Sequence, residues 1–126
     1  MTKQKSISII VEKTNTGYSA YAEDLSVYTT AEDLNELYSN TEEALSFALD
    51  RTVSQHEFQL NIDLPQFFRY YRVLNAKFLA QRIGMSPALL SQYVSGNKKP
   101  SRTQVSRILL GIQEIGHELS QLKFRE

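Results

Sequence analysis

Residues 79–101 read LAQRIGMSPALLSQYVSGNKKPS, and this stretch decides the fold of the second half of the chain. Gly84 follows an amphipathic run, at a point where a residue with positive φ is suited to end a helix. Ser86 and Pro87 then form a helix start, because serine is a favourable N-cap and proline suits the first helical turn. The stretch therefore predicts two short helices joined by a tight turn, of which the second ends at Gly96.

Further helices are predicted on both sides of this pair. The run Asp63-Leu64-Pro65-Gln66 has the acidic N-cap, early proline and following glutamine of a helix start, and it predicts a helix over residues 65–73. The first helix of the pair is predicted over residues 76–83. A last helix begins at a capping box, Ser101 to Gln104, and is weakened by its two glycines. Its predicted apolar face consists of Val105, Ile108, Leu109, Ile112, Ile115 and Leu119. The aromatic residues Phe67, Phe68, Tyr70 and Tyr71 are interpreted as core or helix-packing residues rather than base-stacking ones.

Residues 79–101 resemble the Cro/repressor (XRE) helix-turn-helix family along their whole length. Ala80 is small where the two helices cross, and Gly84 supplies the turn. Apolar residues that would join both helices to a core stand at matching positions, namely Leu79, Ile83, Met85, Leu90 and Tyr93. The resemblance implies an all-α, lambda-repressor-like helix-turn-helix domain over residues 63–126 that binds double-stranded DNA.

The helix that begins at Pro87 is expected to enter the major groove. Its outward side chains are the predicted base-reading set: Pro87, Ala88, Ser91, Gln92 and Ser95. Gln92 is the strongest candidate, because its amide can pair with adenine N7 and N6 together. The predicted phosphate contacts are Lys77, Ser86, Lys98, Lys99, Ser101 and Arg102. Because one small module reads only a few base pairs, a homodimer or higher homo-oligomer is expected.

The first half of the chain predicts a small sheet with one helix. β-Branched alternation predicts a strand over residues 6–11, a hairpin turn at 14–17, a second strand at 18–22 and a third over 27–30. Residues 25–40 otherwise read as a long acidic loop. A helix is predicted to open at Thr41, with Asn40 or Thr41 as N-cap, and residues 58–62 predict a closing strand. The fold class is therefore α+β, with a small β-β-β-α-β unit followed by the helical domain.

Charge is divided unevenly between the halves. Residues 1–63 carry four basic and eleven acidic residues, a net charge of −7, whereas residues 64–126 carry ten basic and three acidic residues, a net charge of +7. No acidic residue stands between Pro65 and Gln113. Such an asymmetry indicates two units with opposite kinds of partner.

The segments GYSAYAEDL (17–25) and NTEEAL (40–45) resemble the HicB antitoxin family. That family has a truncated RNase-H-like unit, here over residues 1–62, followed in many members by a DNA-binding domain. The resemblance implies a repressor that also neutralises a small basic ribonuclease toxin and regulates its own operon. The acid excess of the first half fits a basic partner by charge complementarity.

Composition excludes several other classes. The chain has no cysteine, no apolar run of the roughly 18–20 residues that a membrane helix needs, and an N-terminus without the apolar core of a signal peptide. We therefore expect a cytoplasmic protein without a membrane partner. His56 and His117 lack ligand-spaced partners, so neither a metal nor another cofactor is expected. The acidic pairs at Glu23-Asp24 and Glu32-Asp33 are interpreted as solvated or partner-facing surface, because no nucleophile or general base accompanies them, and no catalytic residue is predicted.

Two other functions remain open at this point. One is a stand-alone transcriptional regulator whose N-terminal unit dimerises or senses a ligand. The other is a nuclease or other hydrolase that uses the acidic N-terminal surface, which would require metal-dependent cleavage that depends on Glu23 or Asp24. The antitoxin-type repressor, a binding protein and not an enzyme, is the leading hypothesis.

Overall fold

The computed structural model describes residues 6–124 and has the expected α+β class, with a four-stranded mixed sheet and five α-helices in that range. It divides into two compact units, Met1–Tyr70 and Tyr71–Glu126, called the first and second units below. The elements in chain order are β1 (Ile7–Thr14), β2 (Gly17–Ala22), β3 (Val27–Ala31), α1 (Leu34–Leu49), a 3₁₀ turn (Gln55–Glu57), β4 (Phe58–Ile62), α2 (Leu64–Tyr70), α3 (Ala76–Ile83), α4 (Pro87–Ser95) and α5 (Arg102–Ser120).

The sheet of the first unit has the strand order β3-β2-β1-β4. β1, β2 and β3 are antiparallel neighbours, and β4 lies parallel to β1. The predicted hairpin turn is confirmed, with Thr14 opposite Gly17. A side chain at Gly17 would place its Cβ 2.1 Å from the Ala31 carbonyl oxygen, so β2 and β3 can approach here only because residue 17 is glycine.

The core of the first unit lies between one face of the sheet and α1. Alternate strand residues such as Ile9, Val11 and Ala20 are buried on that face and pack with Leu37 and Leu45 of α1. Because strand side chains alternate between faces, the residues between them point away from α1.

The predicted start of α1 was wrong. The helix begins at Leu34, and Asp33 is its N-cap, with its Oδ1 accepting the Glu36 backbone N–H at 2.8 Å. Asn40 and Thr41, the two predicted N-caps, both lie inside the helix, and Thr41 is fully buried. The supposed acidic loop over residues 25–40 therefore consists of β3 and the first half of α1. Its polar composition concealed an amphipathic pattern, in which Leu37, Thr41 and Leu45 are buried at four-residue spacing.

The helix predicted over residues 65–73 is shorter, and it is part of the first unit. Asp63 caps α2 as predicted, since its Oδ1 accepts the Gln66 backbone N–H at 3.1 Å. The Gln66 side-chain amide accepts the Lys13 backbone N–H at 2.8 Å and donates to the Lys13 carbonyl at 2.7 Å. It therefore pairs with the backbone of β1 in the way that the backbone of a neighbouring strand does. The Lys13 ammonium also lies over the rings of Tyr18 and Tyr70. These contacts tie α2 to β1, and α2 lies within the first unit.

The second unit packs α3, α4 and α5 around a small core. Of the six predicted apolar positions of α5, Ile108 is fully buried and Leu119 is 60% exposed, so the prediction was wrong for the C-terminal turn. The buried core residues are Leu79, Ala80, Met85, Leu90, Tyr93 and Ile108. Gly111 faces α3 so closely that an added Cβ would lie 2.4 Å from Ile83 Cγ2. This glycine therefore allows close helix packing in addition to weakening the helix.

The four aromatic residues at and after α2 differ in burial, and only Phe68 lies in a core position. Phe68 is buried, and its ring meets that of Phe67 edge to face, with 6.0 Å between centroids. Tyr71 is partly buried, and Tyr70 covers the Lys13 ammonium. Across residues 6–124, no helix is long and apolar enough to cross a membrane.

Candidate nucleic-acid interface

α3 and α4 are joined by a short turn that is held by local backbone and capping hydrogen bonds. Gly84 has φ 73° and ψ 31°, and its N–H donates to the carbonyls of Ala80 and Gln81 in α3. The Met85 N–H also donates to the Ala80 carbonyl, at 2.9 Å. Ser86 then caps α4 by accepting the Leu89 N–H at 3.4 Å, with Pro87 in the first turn. The predicted caps and the bounds of both helices are confirmed. Since a non-glycine residue rarely adopts this φ, Gly84 sets the angle between the helices.

α4 presents one buried and one exposed side. Leu90 and Tyr93 are buried in the second unit. All five predicted base-reading residues are exposed: Pro87, Ala88, Ser91, Gln92 and Ser95. The last four follow Pro87 by one, four, five and eight positions, so the five residues share one side of the helix. The exposed side carries no charge along the whole helix, so nothing on it would bind phosphate by charge alone.

The polar members of this face differ in what they can offer to a ligand. In the part of the chain that the structure describes, the Gln92 side-chain amide has no hydrogen-bond partner, so its donor and acceptor are both available. The Ser95 hydroxyl instead donates to the Gln92 carbonyl at 3.1 Å and accepts the Asn97 N–H at 3.4 Å. Ser95 therefore closes the end of the helix, and Ser91 is the freer hydroxyl.

The predicted phosphate contacts are all exposed, and four of them lie close together along the chain. Gly96 ends α4 with φ 84°, and the Lys98 N–H donates back to the Gln92 carbonyl at 3.2 Å, which folds the loop against the end of α4. Lys98 and Lys99 stand in this loop, and Ser101 and Arg102 follow at the start of α5. Lys77 and Ser86 stand at the starts of α3 and α4. A helix N-terminus beside cations is a favourable anion environment.

Arg107 belongs to this region, although no motif in the sequence pointed to it. From α5, its Nη2 donates to the carbonyls of Ile83 at 3.0 Å and Gly84 at 3.4 Å, and its Nη1 donates to Gln104 Oε1 at 2.9 Å. The guanidinium therefore holds the turn before α4. The predicted capping box is formed only in part, because Ser101 accepts the Gln104 N–H while the Gln104 side chain contacts Arg107.

The described part of the chain brings no cluster of metal ligands to these residues. Within residues 6–124, no group of three or more histidine, cysteine or acidic side chains is placed to hold a metal ion. The Glu57 carboxylate is held by the Ser54 backbone N–H at 2.7 Å and by Arg51 at 2.8 Å, and these contacts lower the pKa of Glu57. His56 is exposed and contacts the Ser54 hydroxyl. These groups stabilise the turn before β4.

Comparison with known proteins adds no functional assignment. No protein-family model, curated protein or solved structure matches the chain.

Proposed function

We propose that this chain is a sequence-specific DNA-binding transcriptional repressor, with the second unit acting as a lambda-repressor-like helix-turn-helix domain. The observation that carries the proposal is the combination of an exposed, uncharged face on α4 with exposed cations immediately after it. A helix of this kind fits the major groove, where base edges are read by neutral polar and small side chains.

The two sets of residues have different roles in this proposal. Gln92 pairs with the N7 and N6 atoms of an adenine, Ala88 contacts a thymine methyl, and Ser91 donates to a base or a phosphate. The cations Lys77, Lys98, Lys99 and Arg102, with the capping serines Ser86 and Ser101, bind phosphates on both sides of the groove. Each capping hydroxyl accepts a backbone N–H and keeps its own proton for donation.

The protein is proposed to act as a homodimer on a site with twofold symmetry. One short helix contacts too few bases to select a single genomic site, and a second copy doubles the sequence that is read. Large apolar side chains are exposed along α5 and in the residues after it, and they are available for contact between copies: Leu110, Leu119, Leu122 and Phe124.

We infer that the first unit gives the repressor a second partner, as in a HicB-like antitoxin. The order β-β-β-α-β supports this inference, because it is the order that the resemblance implies. Residues 1–70 carry five basic and eleven acidic residues, so a basic protein, such as a small ribonuclease toxin, is favoured by charge. The role in both halves is binding, without catalysis.

DNA binding is tested by selecting duplexes from a random-sequence library with the purified full chain. We expect a recurrent motif in two inverted halves, with centres about 10 base pairs or a multiple of that apart. A Lys98→Ala, Lys99→Ala variant should lose affinity for every duplex, whereas a variant with the same change at the exposed Lys123 should not. If no motif is enriched over the starting library, the proposal of sequence-specific repression is wrong.

The second partner is tested by purifying the tagged chain from its own host. An antitoxin copurifies with a short basic protein encoded beside it, and that protein cleaves RNA only after the two are separated. A stand-alone regulator, the main alternative, purifies without such a protein and has no such neighbouring gene. The two outcomes separate the hypotheses whether or not DNA is bound.

A further inference from the structure

One face of the four-stranded sheet lies against α1, and the opposite face, called the open face below, is available for contact. Ile9 and Val11 of β1 point into the core, so Ile10 between them points to the open face. On this open face Ile10 is partly exposed, and Tyr28 is 67% exposed.

The strand register places four side chains in one row across the open face. Ile10 is opposite Tyr21, Tyr21 is opposite Tyr28, and on its other side Ile10 is opposite Asn61. Directly opposed side chains have Cβ atoms about 4.5–5.5 Å apart, so the row forms a continuous stripe with an apolar centre. Tyrosine is enriched at protein interfaces, because its ring is apolar and its hydroxyl can still form a hydrogen bond.

Three carboxylates surround this stripe. Glu12 follows Ile10 by two residues and so shares its face, Glu23 directly follows β2, and Asp63 directly follows β4. Burial raises the pKa of Tyr21, and the negative charges of Glu12, Asp63 and Glu23 raise it further. All three charges therefore act at the centre of the stripe. The nearest basic residue along β1, Lys13, lies over Tyr18 and Tyr70 on the core side.

We propose that the open face is a docking surface for a protein that presents arginine or lysine side chains beside an aromatic or aliphatic residue. The carboxylates attract cations, and a cation placed over a tyrosine ring gains further attraction. The same carboxylates repel phosphate, so a nucleic acid does not fit this stripe of tyrosines. The inference rests on the partner-binding half of the proposed function and is independent of DNA binding.

Site-specific crosslinking tests this surface in the full chain. Tyr28 is replaced by the photoreactive residue p-benzoylphenylalanine. In a matched variant, the same replacement is made at Phe47, a residue of α1 that is 90% exposed. Both variants are irradiated in the native host, and the adducts are identified by mass spectrometry. We expect position 28, and not position 47, to yield one protein with an isoelectric point above about 9, the range of strongly basic domains.

The identified protein is then purified, and its affinity is measured against variants of the open face. Tyr28→Ser should weaken binding by about tenfold or more, as loss of an aromatic anchor residue from an interface does. Glu12→Gln and Glu23→Gln should each weaken it about two- to fivefold, as expected for an exposed ion pair. Glu43→Gln on α1 is the control, because it makes the same change in charge away from the open face.

Three results overturn the proposal. They are an adduct at position 28 with nucleic acid, an acidic protein or a second copy of this chain; no adduct at position 28; and equal loss for Glu43→Gln and Glu12→Gln, which would mean that only net charge matters. Circular dichroism confirms that each variant is folded. Retained DNA binding shows that a failure here concerns the open face and leaves the proposed repressor function standing.

Discussion

The two units carry their polar chemistry on surfaces that are organised differently. On the second unit, the exposed side of α4 is uncharged from Pro87 to Ser95, and the cations lie in the loop and helix start that follow it. On the first unit, the tyrosines and carboxylates share the open face of one sheet. Separating neutral from charged groups suits DNA, whose phosphates and base edges are themselves separate. Mixing them suits a protein partner, on which apolar and charged side chains alternate.

Core truncation should affect one unit at a time. Leu90→Ala removes a fully buried side chain of the second unit, and we expect it to destabilise that unit by about 2–5 kcal/mol. Amide hydrogen exchange should accelerate in α3 to α5 and stay unchanged in β1 to β4. Leu45→Ala, in the core of the first unit, should give the opposite pattern. Equal acceleration of exchange in both units for either variant would contradict the expectation that each unit has its own core.

The two glycines of α5 should respond in opposite directions. Gly111→Ala places a Cβ 2.4 Å from Ile83 Cγ2 and should destabilise the second unit by about 1–3 kcal/mol through overpacking. At Gly116 an added Cβ meets nothing within 4 Å, so Gly116→Ala should stabilise the helix by about 0.5–1 kcal/mol. Thermal unfolding of the two variants measures the difference. A stabilising Gly111→Ala would refute the close packing of α5 on α3.

Arg107 should act on DNA binding by positioning α4. Arg107→Ala removes the bonds to the Ile83 and Gly84 carbonyls, and we expect a loss of about 0.5–1.5 kcal/mol in stability and weaker specific binding. The salt dependence of binding should be unchanged, because no phosphate contact is lost. In Arg102→Ala, the salt slope should instead fall by about one charge. A reduced slope for Arg107→Ala would make Arg107 a phosphate ligand.

The smallest effect is expected at Glu57, in the first unit. The pKa of Glu57 is lowered from its ordinary value of 4.5, mainly by the hydrogen bond from the Ser54 N–H and to a smaller extent by the hydrogen bond from Arg51. The carboxylate therefore contributes stability above pH 4.5 that is lost as the pH falls through the folded-state pKa. Between pH 7 and pH 3, Glu57→Gln should lose less stability than the unmodified chain in urea unfolding. An equal loss for Glu57→Gln and the unmodified chain would contradict this role.

Local signals predicted most of the second unit correctly. The N-caps Ser86 and Ser101 and the positive φ of Gly84 and Gly96 are properties of a few adjacent residues, so the bounds of α3 and α4 could be predicted from the sequence. The exposed side of α4 follows from the same helical periodicity.

Contacts between residues distant in the chain could not be predicted in this way. Arg107 meets the turn at Ile83 across 24 positions, and Gln66 meets Lys13 across 53, so neither partner is visible from local spacing. The predicted start of α1 was too late because most residues in the first half of the helix are polar. Leu37 is buried there by packing on the sheet, and this contact is not visible in the local sequence. The open face was missed for the same reason, since only the strand order brings Tyr28, Tyr21 and Ile10 into one row.

The central claim is that α4 determines the DNA sequence that is bound, whereas the cations beside it supply affinity. One salt titration tests this claim most directly. Gln92→Ala and Lys98→Ala are compared on a selected duplex and on a scrambled one. We predict that Gln92→Ala weakens only specific binding, by about 1–3 kcal/mol, with the salt slope unchanged. Lys98→Ala should weaken both duplexes alike and lower the slope by about one. If Gln92→Ala leaves discrimination intact, or Lys98→Ala leaves the slope intact, this division of roles is contradicted.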